Sequence, residues 1–121
     1  MRCTILVVED NPVNMRLVRL ILRTHGYMVC EATTGHEALH LLRTERPALI
    51  LLDMQLPGMD GFTLASRLKG DPATSAIPLV AVTALAMKGD GERVLAAGCD
   101  AYLPKPIDDN ELIEVIEQCL A

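Results

Sequence analysis

Three stretches of this chain run almost without a polar residue: Thr4-Ile5-Leu6-Val7-Val8, Ala48-Leu49-Ile50-Leu51-Leu52 and Leu79-Val80-Ala81-Val82. A strand with one face in water alternates polar and apolar side chains; a short, unbroken apolar run is a strand covered on both faces. Two shorter strands are expected at Met28-Val29-Cys30-Glu31 and Ala101-Tyr102-Leu103. Segments of helical period separate them all. Five strand–helix units in succession describe an α/β fold, with a parallel sheet and helices on both faces. Right-handed crossovers then make a doubly wound sheet the natural topology.

The helical segments carry their own punctuation. Asn11 is a good N-cap and Pro12 suits the first helical position. Val13, Leu17, Leu20 and Ile21 fall on one stripe of that helix, and Gly26 ends it. A second helix opens near Thr34-Gly35 and is marked by Ala38, Leu41 and Leu42. The segment from Met54 to Gly61, with Pro57-Gly58, reads as a loop, and a third helix follows through Leu64, Leu68 and Lys69. A fourth covers roughly Lys88 to Ala97 and stops at Gly98. The last carries Leu112, Val115, Ile116 and Cys119 at i, i+3, i+4, i+7 spacing, behind an acidic cap at Asp108-Asp109-Asn110-Glu111.

Composition narrows the function. The 121 residues suit one domain spanning 1–121, large enough to bury a core without a staple. Tyr27, Phe62 and Tyr102 are the aromatic residues and Trp is absent, so the core is aliphatic. Eleven Lys and Arg against sixteen Asp and Glu leave a net charge of −5, which argues against nucleic acid as the main ligand. No run approaches the length that spans a bilayer, and the N-terminus lacks a signal-peptide core. The cysteines (Cys3, Cys30, Cys99, Cys119) form no CxxC pair and read as buried free thiols of a reducing compartment, so a cytoplasmic protein is expected.

Ligands of doubly wound sheets bind beyond the carboxyl ends of the strands. Glu9 and Asp10 follow the first strand, Asp53 the third, Thr83 the fourth and Lys105 the fifth. Three carboxylates crowded together repel, and one of them tends to take up a proton. A hard divalent cation relieves this, and Mg²⁺ fits because it takes a few carboxylates together with water and a phosphate oxygen. Asp53 can then serve as a nucleophile toward phosphorus, with Lys105 as a point charge and Thr83 as a hydroxyl donor for phosphoryl oxygens. Ala84 is small and leaves a path for a donor, and Lys105-Pro106 is a candidate cis peptide. Each residue alone has a plainer reading as a cap, turn or solvated loop residue; their shared position at one sheet edge is what selects the chemical one. His36 and His40 lack a third ligand for a metal, and His25 reads as a helix C-cap. None of the three belongs to a dimerising helix pair that would make it a phosphorylation site.

Val7-Val8-Glu9-Asp10-Asn11, Leu51-Leu52-Asp53-Met54-Gln55-Leu56-Pro57-Gly58-Met59-Asp60-Gly61, Val82-Thr83-Ala84 and Lys105-Pro106 resemble the CheY-like receiver domain of two-component response regulators. The order and spacing agree over essentially the whole chain. The resemblance implies a flavodoxin-like (βα)5 sheet of order 2-1-3-4-5. It implies Asp53 as phosphoacceptor, with Mg²⁺ held by Asp10, by Asp53, by Glu9 through water and by the backbone carbonyl of Gln55. Thr83 resembles the switch hydroxyl, Lys105 the phosphate-pairing lysine and Tyr102 the aromatic rotamer switch. Glu9 stands where many members carry Asp.

The segment Ala84-Leu85-Ala86-Met87-Lys88-Gly89-Asp90 is similar to single-domain cell-cycle regulators and to receivers attached to hybrid histidine kinases. The implied donor is a sensor histidine kinase or histidine phosphotransfer protein, and the implied output is a downstream protein target, with the chain a monomer or weak dimer. Leu85 offers no polar group to orient an attacking water, which suits a long-lived phosphoryl group and a relay role. Such a module is a self-phosphorylating and self-dephosphorylating switch, not a conventional enzyme. Competing readings are a pseudo-receiver that never uses Asp53, an aspartate phosphatase and a flavodoxin-like electron carrier. Gln55 stands where the phosphatase would need its second carboxylate, and Glu9-Asp10 where the flavin carrier would need a hydroxyl-rich phosphate loop.

Overall fold

The structure is a computed structural model that describes residues 4–84 and 90–121. The elements are β1 (Thr4–Val8), α1 (Pro12–Thr24), β2 (Met28–Ala32), α2 (Gly35–Leu41), β3 (Leu49–Asp53), α3 (Gly61–Gly70), β4 (Leu79–Thr83), α4 (Asp90–Ala96), β5 (Ala101–Pro104) and α5 (Asp109–Leu120). The strands pair in parallel in a five-stranded sheet of order β2-β1-β3-β4-β5. That is the order expected from the sequence. The expected start of α4 at Lys88, and the comparison residues Leu85 to Gly89, lie outside the described residues, as does Cys3.

Strand alternation divides the core into two layers. Ile5, Val7, Leu49, Leu51, Val80 and Val82 face one side and pack with α1 and α5. Leu6, Val8, Ile50, Leu52, Leu79 and Ala81 face the other, against α2, α3 and α4. β3 and β4 are buried throughout, which is why their sequences show no polar alternation. Phe62, the one phenylalanine, packs only at the margin of the second layer, so the core is aliphatic as the composition requires.

The caps follow local chemistry. The Asn11 side chain accepts from Val13 N at 2.9 Å and from Asn14 N at 3.1 Å, and Pro12 begins the helix. His25 caps the other end, its Nδ1 2.9 Å from the Ile21 carbonyl, and Gly26 follows with φ of 87°. Asp60 caps α3 through Thr63 N, and Asp108 caps α5 through Asn110 N and Glu111 N. Lys69 closes the base of the fold: its ammonium meets the carbonyls of Ser75 and Ile77 and Asp100 Oδ2, and the same carboxylate oxygen accepts from Leu79 N.

One expectation is overturned. The stripe Val13, Leu17, Leu20 and Ile21 meets the core only through Ile21. Met15, Val18 and Leu22 are buried in the core, Ile21 is half-buried, and Val13, Leu17 and Leu20 are exposed. Apolar residues lie on two sides of α1, so periodicity alone cannot say which side the sheet takes. The packing of the i, i+3, i+7 set decides it.

Urea unfolding distinguishes the two faces. Leu22→Ala is expected to cost about 2–5 kcal/mol, as a cavity in a filled core does. Leu20→Ala should stay within about 0.5 kcal/mol of the parent.

Candidate functional site

Parallel register brings the useful strand ends together. Asp53 pairs with Val82 and Thr83 with Pro104, so Glu9, Asp10, Asp53, Thr83 and Lys105 emerge at one edge of the sheet. Glu9, Asp53 and Thr83 are at most 4 % exposed, whereas Asp10 stands in solvent. One carboxylate oxygen from each of Glu9, Asp10 and Asp53 lies within 4.8 Å of the others. Among the described residues this is the group of ligating side chains close enough to hold a metal ion; His36 and His40 are exposed on α2 and take no part.

Lys105 answers part of this negative charge. Its Nζ lies 3.1 Å from Asp53 Oδ2 and 3.6 Å from Glu9 Oε1. Its own amide donates to the Thr83 carbonyl at 2.9 Å, which ties the end of β5 to the end of β4. The Lys105–Pro106 peptide is cis. Backbone donors serve the remaining oxygens. Gln55 N donates to Asp53 Oδ1 at 3.0 Å and Asn11 N to Glu9 Oε2 at 3.1 Å. Each carboxylate is thus held by one amide and faces the ammonium with its other oxygen.

The charge balance is incomplete. Burial pushes the Glu9 carboxyl up to about 7; the Asn11 amide opposes that shift, the neighbouring Asp53 carboxylate adds to it and Lys105 opposes it. Three carboxylates against one ammonium is the situation the sequence suggests. An all-oxygen donor set that is short of positive charge and open on the Asp10 side suits a hard divalent cation such as Mg²⁺.

Two contributors are not among the sequence-derived roles. The Gln55 side chain spans the mouth of the site, its Oε1 accepting from Ala84 N at 3.1 Å, so it joins the loop after β3 to the exposed start of the loop after β4. Gly61 lets α3 approach the loop after β3. A Cβ there would stand 2.4 Å from Met54 Cα and 3.0 Å from the Asp53 carbonyl oxygen, while Gly61 N donates to Met54 O at 3.2 Å. The glycine after a capping Asp60 is the signal that could have found it. Tyr102 lies apart from the cluster. It is 46 % exposed, with its ring against Gly91 of α4, and Leu85 lies outside the described residues.

Residues 5–117 match the model of the response regulator receiver domain family. The chain is 45 % identical over 117 residues to the polar-differentiation response regulator DivK of Brucella anthropi, covering 97 % of this chain and 95 % of that protein. Among solved structures it is similar to the signal receiver domain of a signal transduction histidine kinase from Syntrophus aciditrophicus. That match has a TM-score of 0.90 and 36 % identity, over 98 % of this chain and 89 % of the other. It is also similar to the receiver domain of a sensor histidine kinase from Pseudomonas aeruginosa with a magnesium ion coordinated in its active-site cleft. There the TM-score is 0.91 and the identity 34 %, over 99 % of this chain and 98 % of the other.

Because the atoms a Cβ would strike at Gly61 are backbone and cannot swing aside, Gly61→Ala is expected to destabilise the chain by about 1–3 kcal/mol in urea unfolding. Gly70→Ala, where a Cβ meets nothing within 4 Å, should leave stability unchanged or raise it by up to about 1 kcal/mol.

Proposed function

The chain belongs to the response regulator receiver domain family, and from that membership we propose that Asp53 accepts a phosphoryl group from a phosphohistidine. Sensor histidine kinases and histidine phosphotransfer proteins are the donors of that chemistry. Members of the family are phosphorylation-controlled signalling domains for which Mg²⁺ binding is standard. The observation that carries the reading for this chain is the setting of Asp53. It ends a fully buried strand, it is fixed by Gln55 N and Lys105 Nζ, and two further carboxylates lie within reach.

In the proposed transfer an Asp53 carboxylate oxygen attacks phosphorus. The new P–O bond forms as the P–N bond to the donor imidazole breaks, and the imidazole leaves with the bonding pair. Glu9, Asp10 and Asp53, with the backbone carbonyl of Gln55, would hold Mg²⁺; bound there, it supplies the positive charge that the phosphoryl oxygens and carboxylates need. Lys105 supplies a second positive charge, and the buried Thr83 hydroxyl donates to another phosphoryl oxygen. Both are drawn toward the new dianion. Tyr102 turns into the space behind Thr83, and the surface formed by α4, β5 and α5 changes for a downstream protein partner. Loss of the phosphoryl group to water resets the switch, a self-directed reaction and not turnover of an external substrate. A relay role, cytoplasmic location and a monomeric or weakly dimeric state over 1–121 complete the reading. No helix among the described residues is long and apolar enough to cross a membrane.

The exposed side of α1 supports a protein donor. Val13, Leu17 and Leu20 are exposed, and Leu17 and Leu20 line a cleft of about 750 Å³ closed on its other side by Pro106, Ile107 and Asp108. The residue before that loop is Lys105, so a protein seated in the cleft reaches the edge where Asp53 lies.

Treatment with acetyl phosphate and Mg²⁺ should give one hydroxylamine-labile phosphoryl adduct by intact-mass measurement, absent in Asp53→Asn and absent with EDTA. An adduct that persists in Asp53→Asn, or none in the parent, overturns the proposal. Leu17→Asp should slow transfer from a phosphorylated protein donor by roughly tenfold, the scale of one interface anchor. Labelling by acetyl phosphate should be unchanged in that variant.

A further inference from the structure

Tyr102 is 46 % exposed although it lies on a strand of the sheet. On β5 it faces the α4 side of the sheet, next to Ala81 in register, and its ring lies against the backbone of the first turn of α4. At the contact is Gly91. A Cβ on Gly91 would stand 2.6 Å from Tyr102 Oη, 2.7 Å from Cζ and 3.0 Å from Cε1. These are overlaps that no side chain tolerates, and all three are with the ring, none with backbone. α4 itself is anchored elsewhere. Val94 is fully buried in the core, and the Arg93 guanidinium lies over the Phe62 ring of α3, 4.8 Å from its centroid. Those two contacts hold the middle of the helix, whereas the exposed ring can turn about its own side-chain bonds at less cost.

We propose that Gly91 is a positioning residue for Tyr102: its missing side chain is the seat that holds the ring outward against α4 in the resting chain. The inference rests on the switch role proposed above for Tyr102 and adds what sets its resting balance. A phenol ring on a strand has a few staggered χ1 wells. With the seat filled, the outward well next to α4 is lost, and the ring moves toward Thr83, the position proposed for the phosphorylated chain. Any side chain at 91 therefore shifts the population toward the active arrangement without a phosphoryl group. Alanine is the cleanest probe, because it favours a helix more than glycine does and so does not weaken α4.

The test uses the full chain with Tyr27→Phe, which leaves Tyr102 as the sole tyrosine, labelled with ¹³C in its ring. In the parent without phosphate, ring NOEs to the Gly91 α-protons are expected and those to the Thr83 methyl are weak. In Gly91→Ala without phosphate, the Tyr102–Thr83 NOE should rise several-fold and Tyr102 should become less accessible to iodide quenching of its fluorescence. Gly70→Ala serves as the control for a generic glycine replacement and should show neither change. If the ring of Gly91→Ala keeps the parent χ1 and accessibility, or swings into solvent with no gain of Thr83 contact, the proposal is overturned. Beryllofluoride with Mg²⁺ on the parent separates this from the parent reading. A ring that moves under beryllofluoride but not in Gly91→Ala refutes the seat alone. A ring that stays outward under beryllofluoride refutes the switch role of Tyr102.

Discussion

Parallel pairing is the constraint from which the rest of this molecule follows. Antiparallel strands would scatter their carboxyl ends over two edges of the sheet; here β1, β3, β4 and β5 all finish on one. Residues more than forty positions apart, Glu9, Asp53 and Lys105 among them, become neighbours solely because each follows a strand of the same sense. Covering both faces with helices demands strands without polar alternation, and the polar residues that the chemistry needs are displaced to the strand ends.

That arrangement carries an electrostatic cost, which is also what makes the site useful. Glu9 and Asp53 are buried as deeply as the leucines beside them, and the ammonium of Lys105 cannot neutralise both. The upward displacement of the Glu9 carboxyl is the direct expression of that shortage. Such a site attracts positive charge, and it distinguishes states of its ligand by charge: a dianion placed on Asp53 would strengthen the pull on Lys105, which already lies 3.1 Å from that carboxylate. The amide of Lys105 is bonded to the Thr83 carbonyl, so the backbone that carries the ammonium is tied to the end of β4.

Much of this was legible from the residues because the signals were local. Unbroken aliphatic runs marked β1, β3 and β4; Asn11-Pro12, Thr34-Gly35 and Asp108 marked helix starts through hydrogen bonds that span two or three residues. The site residues were legible because the rule that selects them, position immediately after a parallel strand, needs no knowledge of distances. What failed or was missed depends on contacts between segments remote in sequence. α1 is apolar on two sides, and only its fit to Ile5, Val7 and Leu51 decides that Met15, Val18 and Leu22 go inward. The Gln55–Ala84 bridge and the approach of Gly61 to Met54 are likewise set by how two loops meet, which no periodicity encodes.

The same distinction bears on how the proposed switch would carry a site change to a surface. α4 is held at its middle, by Val94 in the core and by Arg93 over the Phe62 ring of α3, so moving the helix would break those contacts. The Tyr102 ring is bound by none of that. It rests on a glycine, beside a strand whose last residue is Thr83, and it can leave without opening a cavity in the core. A rearrangement follows the element that is least costly to displace, and for the proposed switch that element is a single exposed ring resting against the first turn of α4. Under the switch proposed above, a fold packed tightly on both faces of its sheet would therefore respond to charge at its edge through one side chain, leaving the sheet itself unchanged.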